Sequence, residues 1–280
     1  MIILSHYEAQ EIYALSKFGD AEAEISLDLG LTKSKVRIEA GRIIFPGGEE
    51  CPAEELKKVV GDEKSCFIFQ SGKFIKAAVF SEETNLYYKL FPTGSAPTIE
   101  ISGIRMHRTK DMNPLEDSES KVMALGEVKG RVLDTCTGLG YTAIIASKSA
   151  EEVHTFEEDM AVIELERINP WSRQLFVSKR IIRHEQSIIE GISSFPDNYF
   201  DFIIHDPPSI LIAGDLYSDE FYRKLYAKLK PGGIMYHYTG KPGSKFRHVD
   251  LMGSVSKRLR RIGFKDVKID EATLGVIAKK

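Results

Sequence analysis

From about residue 120 to the C-terminus, short apolar runs alternate with longer amphipathic stretches. Runs at 132–134, 153–156, 181–183, 202–205, 234–238, 267–269 and 275–278 read as strands, with helical patterns between most of them. That alternation predicts a parallel α/β sheet. The last two runs extend as a pair over 264–269 and 274–279, separated only by 270–273. This link is too short for a parallel crossover, so the pair predicts a hairpin that adds one antiparallel strand.

The first third has a different rhythm. Residues 7–18 carry a helical pattern, and 21–29 alternate strictly between apolar and polar, the mark of a half-buried strand. Two strand-like runs within 36–45 break at Gly41, and 52–60 reads as a helix with Pro52 in its first turn. Runs at 66–69, 74–80 and 86–90 are again strand-like, with Ser71-Gly72 as a turn. The expected organisation is a small α+β module over 1–95, a Pro- and Gly-containing linker at 91–97, and a Rossmann-like doubly wound domain over 96–280. The domain's sheet would be mostly parallel with an antiparallel last strand.

Composition narrows the class. The chain has 280 residues, 42% hydrophobic and 28% charged, enough for one large core and a smaller one. No apolar run approaches the roughly 20 residues of a membrane span, and the N-terminus has no signal-peptide pattern. Cys51, Cys66 and Cys136 lie far apart, with neither zinc nor disulfide spacing, so a reducing cytoplasm is expected. Net charge is −3 but uneven. Residues 1–100 hold 11 Lys/Arg and 16 Asp/Glu, net −5, whereas 221–261 hold 11 Lys/Arg against Asp250, net +10. The basic stretch suits an anionic partner such as RNA, or is simply a solvated face of two helices.

The candidate chemistry stands at the carboxyl ends of the predicted strands, where doubly wound sheets bind ligands. After the first come Asp134, Thr135, Gly138, Gly140, Tyr141 and Thr142. This Gly-x-Gly turn into a helix lets backbone approach a ligand, although a plain tight connection has the same pattern. After the second strand, Glu157 is placed to accept hydrogen bonds from a ribose diol. Glu158 is kept beside it, while Glu158 and Asp159 also suit acids opening a helix. After the third, Glu185 or Gln186 can reach an adenine edge, and Gln186 is the candidate. After the fourth comes His205-Asp206-Pro207-Pro208-Ser209. The prolines stiffen the backbone and lack N–H groups, so Asp206 and the Pro207 carbonyl can hold an amino group. A simple strand terminator has the same pattern. His107, His205 and His237 are expected to be structural.

Together these residues resemble the class I S-adenosylmethionine-dependent methyltransferases. Asp134 to Gly140 is similar to their first motif, Glu157 to the ribose acid, and Asp206-Pro-Pro-Ser209 to the Asp/Asn-Pro-Pro-aromatic motif of amino-group methylation. Lys228-Leu-Lys-Pro-Gly-Gly233 resembles the turn into their fifth strand, and the final hairpin resembles their reversed seventh. The likeness covers about 120–280. Ser102-Gly-Ile-Arg-Met-His-Arg-Thr109 with the Asp-Pro-Pro run also resembles a group of archaeal predicted methyltransferases of unassigned substrate. Cys136 stands where a third glycine is usual, and Ser209 where an aromatic is usual; Tyr217, Phe221 or Tyr222 can supply a ring instead. No cysteine follows Cys136, which speaks against a covalent cysteine mechanism.

The resemblance implies S-adenosylmethionine as cofactor, catalysis by Asp206 with Pro207, and methylation of an amino nitrogen; the basic 221–261 stretch makes RNA the favoured acceptor. Protein or small-molecule acceptors, aminopropyl transfer from decarboxylated S-adenosylmethionine, a dehydrogenase and a non-catalytic binding module are the alternatives.

Overall fold

The computed structural model describes residues 1–210, 212–240 and 250–280. The chain divides into two compact units, one of Met1–Pro114 with Glu164–Arg173 and one of Leu115–Ile163 with Gln174–Lys280.

The first unit is α+β. Its helix His6–Ser16 starts at a capping box, the Ser5 and Glu8 side chains each covering an N–H the helix leaves unpaired. It holds three antiparallel sheets, two of which contribute to a core that includes Ile12, Val36, Phe45, Leu56 and Phe69. The break expected at Gly41 is a tight hairpin between Ser34–Glu39 and Arg42–Ile44, with both turn residues, Ala40 and Gly41, at positive φ. The alternating stretch from residue 21 forms a strand only over Ala21–Ile25. Beyond it Ser26 and Asp28 bond side chain to side chain, and Asp28 accepts from the Thr32 N–H, so local polar bonds replace the ladder. Residues 91–97 connect two strands of one sheet, Leu86–Phe91 and Thr98–Ile101, which pair antiparallel. The distant segment Glu164–Arg173 joins this unit, and Trp171 Nε1 donates to the Leu29 carbonyl at 2.9 Å.

The second unit is a seven-stranded sheet. In chain order its strands are β1 (Arg131–Asp134), β2 (Glu152–Phe156), β3 (Ile181–His184), β4 (Phe200–His205), β5 (Leu229–Tyr238), β6 (Lys265–Asp270) and β7 (Gly275–Lys279). They lie in the order β3-β2-β1-β4-β5-β7-β6. Strands β1 to β5 pair in parallel, and β7 runs antiparallel between β5 and β6. This is the Rossmann-like architecture expected, with the reversed strand entering as the second arm of the final hairpin.

Both faces are covered, and the two-residue period of the strands shows how. Leu133, Ile203 and Met235 pack against Phe221, Tyr222 and Leu225 of the helix Asp219–Lys228 and Val255 and Leu259 of the helix Leu251–Ile262. Their neighbours Val132, Ile204 and Tyr236 pack on the opposite side with Val122, Ala143 and Ala146. Helix α1 (Pro114–Met123) carries Val122, and helix α2 (Tyr141–Ala146) follows the glycine turn. Strands buried on both faces need near-continuous apolar sequence, which is why β1 and β4 were legible as runs. Strand β5 is longer than its apolar run and starts at Leu229. Its ladder with β4 is irregular between Phe200 and Phe202, where the polar Lys-Pro-Gly-Gly segment lies.

Candidate active site

The switch point of this sheet lies between β1 and β4, and the chain leaves both strands there. Two bonds tie the strand ends together. The Thr135 N–H donates to the Ile204 carbonyl at 3.0 Å, and Thr135 Oγ1 meets His205 Nδ1 at 2.8 Å. His205 Nε2 lies 3.0 Å from the Leu216 carbonyl. A carbonyl only accepts, so Nε2 carries the proton and Nδ1 accepts from Thr135. Burial pushes His205 down to about 3, so it stays neutral and both ring nitrogens are engaged. It locks the site and holds no proton for exchange. His237 is likewise buried, with Nε2 2.8 Å from Tyr222 Oη, and burial holds it well below its ordinary value. His107 Nδ1 meets Thr98 Oγ1 at 2.9 Å in the first unit.

The glycine turn above β1 uses its two glycines differently. Gly140 has φ +76, and a Cβ there would stand 2.3 Å from the Leu175 side chain, so packing excludes any larger residue. Gly138 has φ +55, and a Cβ there would meet no described atom within 4 Å. Its open side is the one a ligand can approach. Its N–H donates to Glu157 Oε2 at 3.0 Å, while Glu157 Oε1 accepts from the Asp159 N–H at 3.1 Å. The carboxylate that ends β2 is thereby fixed beside the turn. Burial of that carboxyl pushes it up to about 7, against the two backbone bonds that lower it.

The other candidates around the turn are inward. Asp134 is fully buried and accepts from Thr142 Oγ1 at 3.2 Å and from Thr155 Oγ1 at 2.8 Å. Burial pushes its carboxyl up to about 8 despite those hydroxyls. Thr135, Tyr141 and Thr142 are each at most 5% exposed. These four shape the turn from beneath, whereas Gly138 and Glu157 present surface. Cys136 is half-buried, and burial raises its thiol well above its ordinary value. Glu158 and Gln186 are exposed, and Gln186 lies just before the short helix Ile188–Gly191.

The Asp-Pro-Pro-Ser run leaves β4 with all peptide bonds trans. Pro207 is buried, and the Pro208 carbonyl accepts from Tyr217 Oη at 3.1 Å. The rings proposed to replace the missing aromatic are spent on the core: Tyr217, Phe221 and Tyr222 are 3%, 2% and 0% exposed.

Sequence reasoning missed the most unusual feature. Lys121 of α1 is fully buried and donates to Asp206 Oδ2 at 2.7 Å, with Asp117 Oδ2 at 3.0 Å one turn away. Its ammonium lies 4.1 Å from the centroid of the Tyr238 ring. Burial alone would lower Lys121, but the Asp206 and Asp117 carboxylates outweigh it and raise the ammonium above its ordinary range. The signal in the sequence was the Asp117/Lys121 pair at i,i+4 spacing, on the helix face that Val122 also buries.

The basic stretch 221–261 also looks different in three dimensions. Lys224 pairs with Glu220, Lys228 with Asp197, Lys230 with Asp201, and Arg258 and Arg261 with Asp219. Arg260 bonds the Val267 carbonyl. Each of those acids falls outside 221–261, so a window count could not register them. Lys241, Lys245 and Arg247 lie outside the described residues. Among the described residues, no helix is long and apolar enough to cross a membrane.

No protein-family model matches the chain. An uncharacterized protein of Methanocaldococcus jannaschii, MJ1233, is 46% identical over 266 residues, which is 92% of this chain and 90% of that protein. The chain belongs to that protein's family. Among solved structures, a spermidine synthase in complex with the transition state analogue AdoDATO matches 76% of this chain and 79% of its own. The TM-score is 0.60 at 21% identity. The spermidine synthase of Thermotoga maritima matches 76% and 77%, with TM-score 0.56 at 20% identity. At these identities the likeness is one of fold.

Proposed function

We propose that this protein is a cytoplasmic S-adenosylmethionine-dependent methyltransferase acting on an amino nitrogen. One observation carries the reading: the open glycine turn with its fixed carboxylate and the Asp206-Pro207 run leave adjacent parallel strands and are bonded to each other through Thr135 and His205. The residues fit the cofactor. Gly138 leaves space where a side chain would intrude, and Glu157 stands where a ribose diol can donate to it. When bound, the cofactor supplies a methyl group already activated by its sulfonium.

The protein's own part is then positioning and removal of solvent from the acceptor. Asp206 is 16% exposed and held by Lys121, so it serves as a fixed hydrogen-bond acceptor. The Pro207 carbonyl is the second acceptor in this reading, since that of Pro208 is engaged by Tyr217. RNA as the acceptor now rests on the exposed Arg223 and Lys257 and on Lys241, Lys245 and Arg247 of the sequence. It no longer rests on the whole basic stretch.

Aminopropyl transfer is the second reading, favoured by the breadth of the likeness to spermidine synthases. The test uses S-adenosylmethionine with a labelled methyl group and, separately, decarboxylated S-adenosylmethionine with a labelled aminopropyl group. Each is offered to RNA, protein and small-molecule pools. Label from the first in a macromolecular or neutral amino acceptor is expected. Label only from the second, in a polyamine, would overturn the methyltransferase reading.

A further inference from the structure

One cavity of the second unit stands away from the strand ends that carry the glycine turn. It measures about 450 Å³ and is bordered by Lys148, Lys179 and Arg180, together with Gln174 and Ser178. That volume falls among small-molecule sites, which run from roughly 300 to 1,000 Å³. Ser147 caps the carboxyl end of helix α2, and Arg180 immediately precedes β3. The cavity therefore lies at the amino end of β3, and at the opposite end of α2 from Gly138 and Gly140. Doubly wound sheets take nucleotide ligands at the carboxyl ends of their strands, so this cavity is separate from the cofactor turn.

Its charge is one-sided. Among the described residues no acid lines it. Lys148, Lys179 and Arg180 are all exposed, and none of them forms an ion pair with a described residue. Glu151, the nearest acid to Lys148 along the chain, is exposed and pairs with none of the three. Lys224, Lys228 and Arg261, by contrast, each meet an acid.

Arg180 is also held in a fixed direction. Its Nη1 donates to the Ser147 and Lys148 carbonyls, both at 3.2 Å, at the end of α2 where carbonyls run out of intrahelical partners. Both Nη1 hydrogens are thereby engaged. The Nε–H and the Nη2–H beside it make up another edge of the guanidinium, which has no described partner. Such an edge pairs with two oxygens of one phosphoryl group. Ser178 Oγ accepts from the Arg180 N–H at 3.3 Å, so its own proton is left to donate. Like charges gathered around one cavity repel, and an anion relieves that repulsion. One phosphoryl group carries about −1.5 to −2 at neutral pH, so two are needed to match three cations.

We infer that this cavity is a second ligand site, for a small molecule bearing a diphosphate group. Arg180 binds one phosphoryl group by its open edge, and Lys148 and Lys179 neutralise the remainder. The inference goes beyond the methyltransferase reading, in which none of these residues has a part.

The probe is inorganic pyrophosphate, titrated by calorimetry into the full chain in magnesium-free buffer at near-physiological salt, with S-adenosylhomocysteine present to occupy the glycine turn. Wild type is compared with Lys148→Met/Lys179→Met and with Arg180→Lys. Wild type is expected to bind one equivalent. The double variant changes two exposed residues, so it is expected to keep its melting temperature and lose affinity by about tenfold or more, the scale of a hydrogen bond to a charged group. Arg180→Lys keeps the charge and removes the fork, and a loss of similar size is expected there. Diffuse attraction of anions to a basic surface would leave that variant like wild type. ADP is the second probe: affinity above that of pyrophosphate, lost in the same variants, assigns the cavity to a nucleotide, and equal affinity assigns it to the diphosphate alone.

Absence of saturable pyrophosphate binding in the millimolar range overturns the inference, and so does binding that the variants retain. A short oligouridylate RNA is the last arm. RNA affinity that falls in the double variant, with no pyrophosphate binding to wild type, assigns these bases to a nucleic-acid backbone and also overturns the inference. Should Arg180→Lys fail to fold, the double variant decides on its own. Should S-adenosylhomocysteine not bind, the variants still locate the pyrophosphate, and that failure counts against the methyltransferase reading alone.

Discussion

Gly138 and Gly140 are two residues apart, and one substitution separates their roles. Gly140→Ala forces a Cβ into Leu175 at a left-handed backbone position. It is expected to cost about 2–4 kcal/mol by overpacking and strain together, read by urea unfolding. Gly138→Ala meets open space and costs about 1 kcal/mol of backbone strain, yet fills the side from which the cofactor is approached. It is expected to stay folded and lose S-adenosylhomocysteine affinity, and equal unfolding costs for the two variants would contradict the division. Glu157 supplies a pH signature. Burial raises its carboxyl to about 7, so the ligand-free protein holds a proton there below that pH. A ribose diol donates to the ionised form, and binding must expel the proton. Affinity is therefore full above about pH 7 and falls up to tenfold per unit below it. Glu157→Gln is expected to bind more weakly at pH 8 and to lose this slope in a calorimetric pH series.

At the scale of elements, the site is a meeting of strand ends and one helix. The run after β4 is stiffened by its prolines, while α1 reaches it through a charge. The Asp206→Ala substitution that the motif suggests is therefore not a clean test, because it removes one of the two carboxylates on a fully buried ammonium. It is expected to destabilise by an amount of order 3 kcal/mol. Asp206→Asn keeps an oxygen opposite Lys121 and is the better probe. It is expected to retain S-adenosylhomocysteine binding within severalfold while methyl transfer falls by more than tenfold, the scale of losing a charged hydrogen bond. Undiminished transfer would remove Asp206 from the mechanism. The basic helices teach a related point: Asp219 opens one helix by sequence and neutralises Arg258 and Arg261 of the next by packing.

For the whole molecule, the cofactor assignment makes one prediction that needs no acceptor. S-adenosylhomocysteine at a hundredfold its dissociation constant is expected to stabilise the protein by about 2.7 kcal/mol, seen as a rise in melting temperature. NAD is expected to leave that temperature unchanged. A rise with NAD alone would restore the dehydrogenase reading that Gly138-x-Gly140 also permits.

The sequence by itself determined the parallel sheet, because strands buried on both faces must be nearly continuous apolar runs. It also determined the final hairpin, because four residues cannot make a crossover. The strand-end positions of Glu157 and Asp206 followed from the same periodicity. Only the tertiary structure decided which polar residues are spent on the fold. Asp134, Thr135, Tyr141 and Thr142 turn inward, His205 is locked neutral, and Lys228, Lys230, Arg258 and Arg261 meet acids distant in sequence. It alone joined Lys121 to Asp206 across 85 positions. Periodicity reports the direction a side chain takes from its own element, whereas a counter-charge is chosen by proximity in space.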